Sequence, residues 1–567
     1  MRYRWVFKQP TQSESLTKIK DQFNVNSVLA QLIYDRNLDS LESINKFLYP
    51  NLANLHDPFL MNDMERAVQR IIKALRDGEN ILIYGDYDVD GITGVSLMYD
   101  GIFKLGGKVS FYIPNRITEG YGLSSQGIVT ASNKSIDLII TVDCGVTAID
   151  EVILANNKGI DVIICDHHEP ANELPPAHSI LNPKVKNCSY PFKELAGVGV
   201  AFKLLHALYA SLGYGIDDLQ EYLDLVAIGT AADIVPLLDE NRILVKYGLE
   251  KINGNPRYGI FALLESSSLL GRELDVSLIV FVLAPRLNAV GRMSTAKKAV
   301  HLLTSSSLQQ SRNIARILES ENRTRRNIDE LTCQEAIELV ESTVDLDRTK
   351  ILVLAKEDWH LGVIGIVASR IMEKFNRPSI LISLNKGIGK GSARSTPNFD
   401  IYEALVSVSD LLENYGGHKF AAGLTIREEN ISELRTKLEN ISSTMLSQED
   451  LTPTIDVQCE LSLKDVDAKF LKWLKLFAPY GPQNMRPIFV TRDMDVLGEP
   501  ETVGHNHLRF KVRNEGIVID AIAFNFADLK IKMNKPMYKI DAAYVLEENT
   551  WNGQTTIQMR IEDFNPV

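Results

Sequence analysis

Cysteine is scarce in this chain: Cys144, Cys165, Cys188, Cys333 and Cys459 are the five in 567 residues, scattered and with no CxxC pair. That spacing excludes a disulfide-stapled scaffold and suits a reducing cytoplasm. Long apolar runs are missing too. No stretch reads as a membrane span, and the N-terminal MRYRWVFKQP has no apolar signal-peptide core. The expectation is a soluble, cytoplasmic protein with no membrane partner. Positive charge is in deficit, with 61 Lys and Arg against 73 Asp and Glu and a formal net charge of −12. Taken as an average this disfavours a polyanionic partner, because phosphate affinity comes mainly from Lys and Arg. An acidic total is still compatible with nucleic acid when carboxylates collect in a metal cleft and a basic track lies elsewhere. Internal repeats and low-complexity tracts are also absent.

What is present is an ordinary globular composition, 45% hydrophobic and 24% charged. The length exceeds what one core organises, so two to four domains are expected. Beyond an N-terminal segment (1–62), residues 63–240 alternate amphipathic helices with short Ile- and Val-rich runs, the pattern of βαβ units and a parallel sheet. Three runs matter: ILIY (Ile81–Tyr84), DLIITV (Asp137–Val142) and DVIIC (Asp161–Cys165). Residues 241–345 read as helical and end in a polar, arginine-rich stretch suited to a long connecting helix or a solvated spacer. A second α/β lobe follows at 346–446, and 454–567 changes to the short alternating strands of a small β-barrel.

Each of the three apolar runs leads straight into potential metal ligands. The first ends in GDYDVDG, placing Asp86, Asp88 and Asp90 on alternate positions; the second ends at Asp143 in TVDCG; the third ends at Asp166, His167 and His168. In an open parallel sheet, residues just past the carboxyl ends of neighbouring strands share one crevice. Crowded carboxylates repel one another unless divalent cations neutralise them. A solvated acidic turn or an EF-hand loop fits less well, because the later bidentate Glu is missing and a strand, not a helix, precedes. Asp233 in GTAADIVPL adds a carboxylate that alone would read as a helix-end residue. Oxygen ligands with one or two imidazoles suit Mn²⁺, with Mg²⁺ as the alternative, and two such ions can clamp the attacking and leaving oxygens of a phosphoryl transfer. Cys144 and Cys165 then serve as packing residues.

The segments DYDVDG, TVDCG, DHH and GTAAD, in that order, resemble the motifs of the DHH phosphoesterase superfamily. APRLNAVGRM (Ala284–Met293), WHLGVIGIVASR, GKGSARS and GGHKFAAG are similar to the RecJ branch and its DHHA1-type domain, and APYGPQNMRPIF with the strands after it resembles the OB-type domain of that branch. Val89 stands where the family often has alanine. The resemblance implies an α/β protein with a parallel-sheet DHH catalytic domain, a helical connector, a second α/β domain and a C-terminal β-barrel. It implies Asp88, Asp90, Asp143, His167 and Asp233 as ligands of two divalent ions, with Asp143 bridging and Asp86 beside them. His168 would contact the scissile phosphate or assist the leaving group, oriented by Asp166. The implied activity is hydrolysis of single-stranded DNA from the 5′ end to 5′-mononucleotides in repair and recombination, by a monomer working with a helicase and a single-strand-binding protein. Rival readings are a DHH oligoribonuclease, a cyclic dinucleotide phosphodiesterase, the related manganese pyrophosphatase and an inactive DNA-binding scaffold. The first three leave PRLNAVGR and the β-rich tail unexplained; the scaffold would be free to lose ligands that this chain retains.

An end-directed nuclease needs donors for a terminal phosphate. Arg116, Arg286, Asn288, Arg292, Ser392, Arg394 and His418 are the candidates, each arginine competing with a reading as an ordinary salt bridge, and His418 with one as a histidine fitted into tight glycine packing. In the tail, HLRFKVR should turn Leu508, Phe510 and Val512 into the barrel and present His507, Arg509, Lys511 and Arg513 as a basic stripe for a single strand, against a competing reading as a solvated face.

Overall fold

The computed structural model describes residues 3–9, 13–38, 40–115, 119–293, 295–533, 538–551 and 554–567. Two compact units partition the chain: Asp39–Thr324 with Leu476–Met485, and Met1–Leu38 with Arg325–Lys475 and Arg486–Val567.

In the first unit, the Ile- and Val-rich runs form the middle of a five-stranded, wholly parallel sheet ordered Lys108–Tyr112, Asn80–Gly85, Leu138–Val142, Asp161–Cys165, Ser179–Leu181. The runs are apolar throughout because both faces are covered. Ile81, Ile83, Leu138, Ile140 and Val142 pack into one buried cluster with Val95, Met98, Val198 and Phe202 of the flanking helices. Their neighbours Leu82, Tyr84, Ile139, Val162 and Ile164 face a second cluster with Ile128 and Val152. In chain order the strands run 2-1-3-4-5, a doubly wound topology in which the connections diverge between Asn80–Gly85 and Leu138–Val142. Helices Gly197–Ser211, Leu223–Ala232 and Asp239–Gly254 complete the layer on one face. The stretch Val276–Met293 has the length and hydropathy of a membrane span by composition alone. It contains a π-helical segment, Ile279–Leu283, then the helix Ala284–Met293, and Ile279, Leu283, Leu287 and Val290 belong to the core.

The arginine-rich stretch forms a helix of 36 residues, Leu308–Thr343. It is packed rather than solvated all round, since Ser311, Ala315, Leu318, Cys333, Ala336 and Val340 are buried. In the second unit a mixed sheet runs Leu412–His418, Ala421–Arg427, Ile388–Arg394, Ser379–Asn385, Leu352–Glu357. The tail is a closed five-stranded barrel of Phe489–Val503, His507–Asn514, Ile517–Phe524, Lys539–Trp551 and Gln554–Pro566, closed by pairing of the first with the fourth. The N-terminal strand Arg4–Phe7 pairs in parallel with Thr454–Val457, and the Trp5 indole N–H donates to Asp563 at 2.9 Å. All five cysteines are free thiols.

Candidate active site

The crevice outside the diverging strands is where the acidic residues collect. Asp88 caps the helix Val89–Lys104, accepting from the Gly91 N–H at 3.1 Å. Asp90, in the first turn, accepts from the Gly197 and Val198 N–H groups at 2.6 and 2.8 Å. Those amides open the helix Gly197–Ser211, whose terminus favours a carboxylate. Asp143 sits at a left-handed φ of 61° just past its strand. Its N–H donates to the Cys165 carbonyl at 2.9 Å, fixing the turn. A Cβ on Gly197 would lie 2.6 Å from the Asp143 Cβ, so glycine is required for this approach. Asp166 accepts from Val146 N–H at 2.9 Å, His167 N–H at 2.8 Å and His168 N–H at 3.1 Å, and it holds His168 Nδ1 at 2.7 Å. Asp233 ends the helix Leu223–Ala232.

These groups form three overlapping sets whose ligand atoms lie within 4.8 Å of one another: Asp86, Asp88 and Asp143; Asp90, His167 and Asp233; and Asp143, His167 and His168. His167 Nε2 stands 3.1 Å from Asp143 Oδ1 and 3.5 Å from Asp233 Oδ2. All three atoms are buried and none has a hydrogen-bond partner. Burial, then the charge of Asp88, pushes the Asp90 carboxyl up to about 7. Burial and the charge of Asp90 raise Asp143 and Asp233 well above the usual carboxylate range. Burial, followed by the neighbouring His168, pushes His167 down to about 3, leaving a neutral imidazole able to ligate. Burial is the largest influence on both members of the next pair and opposes their charge, but their mutual hydrogen bond and charge attraction, joined for Asp166 by the Val146 and His168 N–H groups and for His168 by the charges of Asp90 and Asp88, together outweigh it, lowering Asp166 and raising His168. Unpartnered donor atoms converging in a carboxylate-rich, low-dielectric site are what divalent cations resolve, so the residues present fit two such ions.

A cleft of about 270 Å³ adjoins this cluster, lined by Asp86, Tyr87, Asp88, Tyr121, Asn288, Gly291 and Arg292. Asn288 and Arg292 therefore line the same cleft as Asp86 and Asp88. Arg286 does not line the cleft: it is buried, donating to Glu319 at 2.6 Å and to the Val282 carbonyl at 2.7 Å. Tyr121 was not anticipated from sequence. Its hydroxyl donates to the Asp143 carbonyl at 3.1 Å and lies 3.1 Å from His168 Nε2. A lone aromatic between Gly120 and Gly122 carries no periodic signal, and only the catalytic spacing around it hints at a role. Arg116 lies outside the described residues.

In the second unit, Ser392 and Arg394 share one strand face, and Arg394 pairs in register with Ala421, itself paired with His418. The Arg394 guanidinium donates to Ser392 Oγ at 3.1 Å. The start of the helix Ile364–Phe375 packs directly on both, since a Cβ on Gly365 would lie 3.0 Å from Ser392 Oγ and 3.1 Å from Arg394 Nη2. A cation and a hydroxyl beside a helix N-terminus suit an anion. In the barrel, Leu508, Phe510 and Val512 are buried and Arg509, Lys511 and Arg513 exposed, as strand alternation requires. The expected stripe is, however, charge-balanced. Arg509 is bonded to Glu501 at 2.6 Å, Lys511 to Asp520 at 3.3 Å and Arg513 to Asp495 at 3.1 Å. His507 packs edge-on against Phe524 with ring centroids 4.9 Å apart.

Three family models match the chain: the DHH family N-terminal domain over residues 80–230, the DHHA1 domain over 348–444 and the RecJ OB domain over 457–563. The chain is 39% identical to the single-stranded-DNA-specific exonuclease RecJ of Bacillus subtilis, across 99% of this chain and 70% of that protein. It is 35% identical to the RecJ of Dickeya dadantii, across 95% and 96% of the two chains. The crystal structure of Thermus thermophilus RecJ in complex with Mn²⁺ superposes with a TM-score of 0.85 at 30% identity, covering 100% of this chain and 80% of that one.

Proposed function

This chain belongs to the RecJ family of DHH exonucleases, and we infer from that premise that it is a metal-dependent, single-strand-specific exodeoxyribonuclease working from the 5′ end. The observation that carries the reading is the convergence of buried Asp143 Oδ1, His167 Nε2 and Asp233 Oδ2 without hydrogen-bond partners at a parallel-sheet switch point. Asp88, Asp90, Asp143, His167 and Asp233 would hold Mn²⁺ or Mg²⁺, with Asp86 beside them and Asp143 common to two of the three ligand groups. Bound metal supplies Lewis-acid polarisation of the phosphodiester and of the attacking water. The protein does the rest. Asp166 fixes the His168 ring through Nδ1, and His168 would contact the scissile phosphate or deliver a proton to the departing 3′ oxygen. Tyr121 braces His168 and the Asp143 turn. Attack on the phosphorus with loss of the 3′ oxygen releases a 5′-mononucleotide and leaves a new 5′ phosphate.

We assign phosphate contacts to Asn288 and Arg292, with Arg116 on the segment following the Lys108–Tyr112 strand, and terminal-phosphate recognition to Ser392, Arg394 and His418. Arg286, held by Glu319, is read as orienting the helix that carries Asn288 and Arg292. The barrel provides the single-strand track. The balanced ion pairs at Arg509, Lys511 and Arg513 argue that those residues contribute little of its net charge, and His507 with the exposed Phe524 offers stacking surface instead. An enzyme restricted to single strands needs duplex opened for it, so a helicase and a single-strand-binding protein are the expected partners of a monomer in the cytoplasm. The test is incubation with Mn²⁺ or Mg²⁺ and 5′- or 3′-labelled single strands, duplex, short RNA, cyclic dinucleotides and pyrophosphate. Labelled 5′-mononucleotide from 5′-labelled single strands at the earliest times supports the reading. Comparable turnover of duplex, cyclic dinucleotides or pyrophosphate overturns it.

A further inference from the structure

The first turn of the helix Asp239–Gly254 reads DENR, and each of its four side chains bonds to segments outside the helix. Asp239 holds His56 at 3.0 Å. Glu240, fully buried, takes the Lys203 ammonium at 2.9 Å and the Tyr190 hydroxyl at 2.5 Å. Asn241, also fully buried, donates through one amide nitrogen to the Glu194 carbonyl at 2.5 Å and the Pro236 carbonyl at 3.0 Å. Arg242 donates to the Leu476, Phe477, Ala478 and Pro479 carbonyls and to that of Phe47.

Two of these links lead to metal-site carboxylates. Glu194 lies three residues before Gly197, whose N–H with that of Val198 holds Asp90. Pro236 lies three residues after Asp233. Asn241 thus ties the segment that grips Asp90 to the segment that presents Asp233, and these two aspartates share a ligand set with His167. The Asp233 turn needs such support. Ile234, exposed and β-branched, has a left-handed φ of 62°, a conformation that persists only where its surroundings impose it. The surroundings are Asn241 on one side and, on the other, the Arg242-bound segment, where Leu237 N–H donates to the Pro482 carbonyl at 2.9 Å. Gly481 allows this contact, since a Cβ there would fall 2.5 Å from Leu237 Cδ1.

We propose that Asn241 is a positioning residue that sets the separation of Asp90 and Asp233, with the Gly481 turn as backstop, and so controls the affinity of one of the two cations. The inference rests on the ligand set given above. Titrating Mn²⁺ calorimetrically into EDTA-stripped full-length wild-type, Asn241→Ala, Gly481→Ala and Asp233→Asn proteins, each below its melting temperature, tests it. Asn241→Ala should weaken one ion by about 10- to 100-fold, the range of outer contacts to ligands, and leave the other within threefold; turnover should recover at saturating Mn²⁺. Gly481→Ala, which presses on Leu237 from a distant segment, should weaken the same ion even if Asn241→Ala fails to fold. A role in stability alone lowers the melting temperature of the metal-free protein without changing either affinity. Wild-type affinities in folded Asn241→Ala or Gly481→Ala alongside a lost ion in Asp233→Asn overturn the proposal, whereas unchanged affinities in Asp233→Asn overturn the ligand set and the proposal with it.

Discussion

Asp166→Asn is the smallest change that strips the DHH turn of its anchor, and its cost follows from geometry. Oδ1 accepts from His167 N–H, His168 N–H and His168 Nδ1, while Oδ2 accepts from Val146 N–H at 2.9 Å. An asparagine retains most if its oxygen takes the Oδ1 position. Its amide nitrogen then faces the Val146 N–H, donor against donor, in a side chain 2% exposed. A buried unsatisfied donor costs about 1–3 kcal/mol, and turning charge-assisted bonds into neutral ones costs about 1 kcal/mol more. The sum is about 3 kcal/mol, or roughly 5 °C in the melting temperature of a unit of this size. Calorimetry of the metal-free full chain should show that drop in the transition of the unit containing the parallel sheet. With metal restored below that transition, hydrolysis of single strands should fall about 10- to 100-fold, because His168 loses its orientation. A melting temperature within 1 °C of wild type and a rate within about twofold would refute the claim that Asp166 holds the turn.

Asp143→Ala should abolish hydrolysis with the fold retained, and EDTA should mimic it; near-normal turnover with bound metal in this variant would sink the two-ion assignment. Arg394→Ala should raise KM for 5′-phosphorylated strands about tenfold, the worth of one charge-assisted contact, with little change in kcat and none in KM for 5′-hydroxyl strands; equal loss on both ends would remove it from terminal-phosphate recognition. Replacing the three ion pairs whole, Arg509 with Glu501, Lys511 with Asp520 and Arg513 with Asp495, by neutral polar residues should leave long-strand affinity and its salt slope nearly unchanged, because each pair carries no net charge; a slope smaller by about three would restore the stripe as the DNA track. His56 has its pKa raised above the ordinary 6.5 by the Asp239 hydrogen bond, so the stability it contributes is fully present below about pH 6.5 and is lost as pH rises through the folded value. Asp239→Asn should erase that pH dependence in denaturant titrations.

The catalytic sheet was legible because its signals are local. Strands of four to six residues buried on both faces must be apolar throughout, and the acidic residues that end them belong at the carboxyl edge of any parallel sheet. The long helix was legible in its polar periodicity, although its buried face at Ala315, Leu318, Ala336 and Val340 was not separable from a spacer by composition. Pairings across hundreds of residues leave no such trace. Nothing in RWVF announces a parallel partner at Thr454–Val457. Likewise nothing in APYGPQN announces that a guanidinium from Arg242 will take the carbonyls of its first two residues, Ala478 and Pro479.

The site was legible where backbone geometry dictates it and illegible where a partner on another strand or helix decides. Alternation correctly divided the two faces of HLRFKVR, but the charge of the exposed face depends on Glu501, Asp520 and Asp495, which lie opposite in register on neighbouring strands. A basic stripe read from one strand is therefore incomplete until its neighbours are known. The arginines of PRLNAVGR illustrate the opposite case, in which the information was present and helical phase extracts it. At about 100° per residue, Asn288 and Arg292 are neighbours on one face, and both line the cleft beside Asp86 and Asp88. Arg286 stands roughly 200° from Asn288 and 240° from Arg292. A side chain so far round the helix faces other partners when its neighbours face the cleft, and Glu319 and the Val282 carbonyl are those partners.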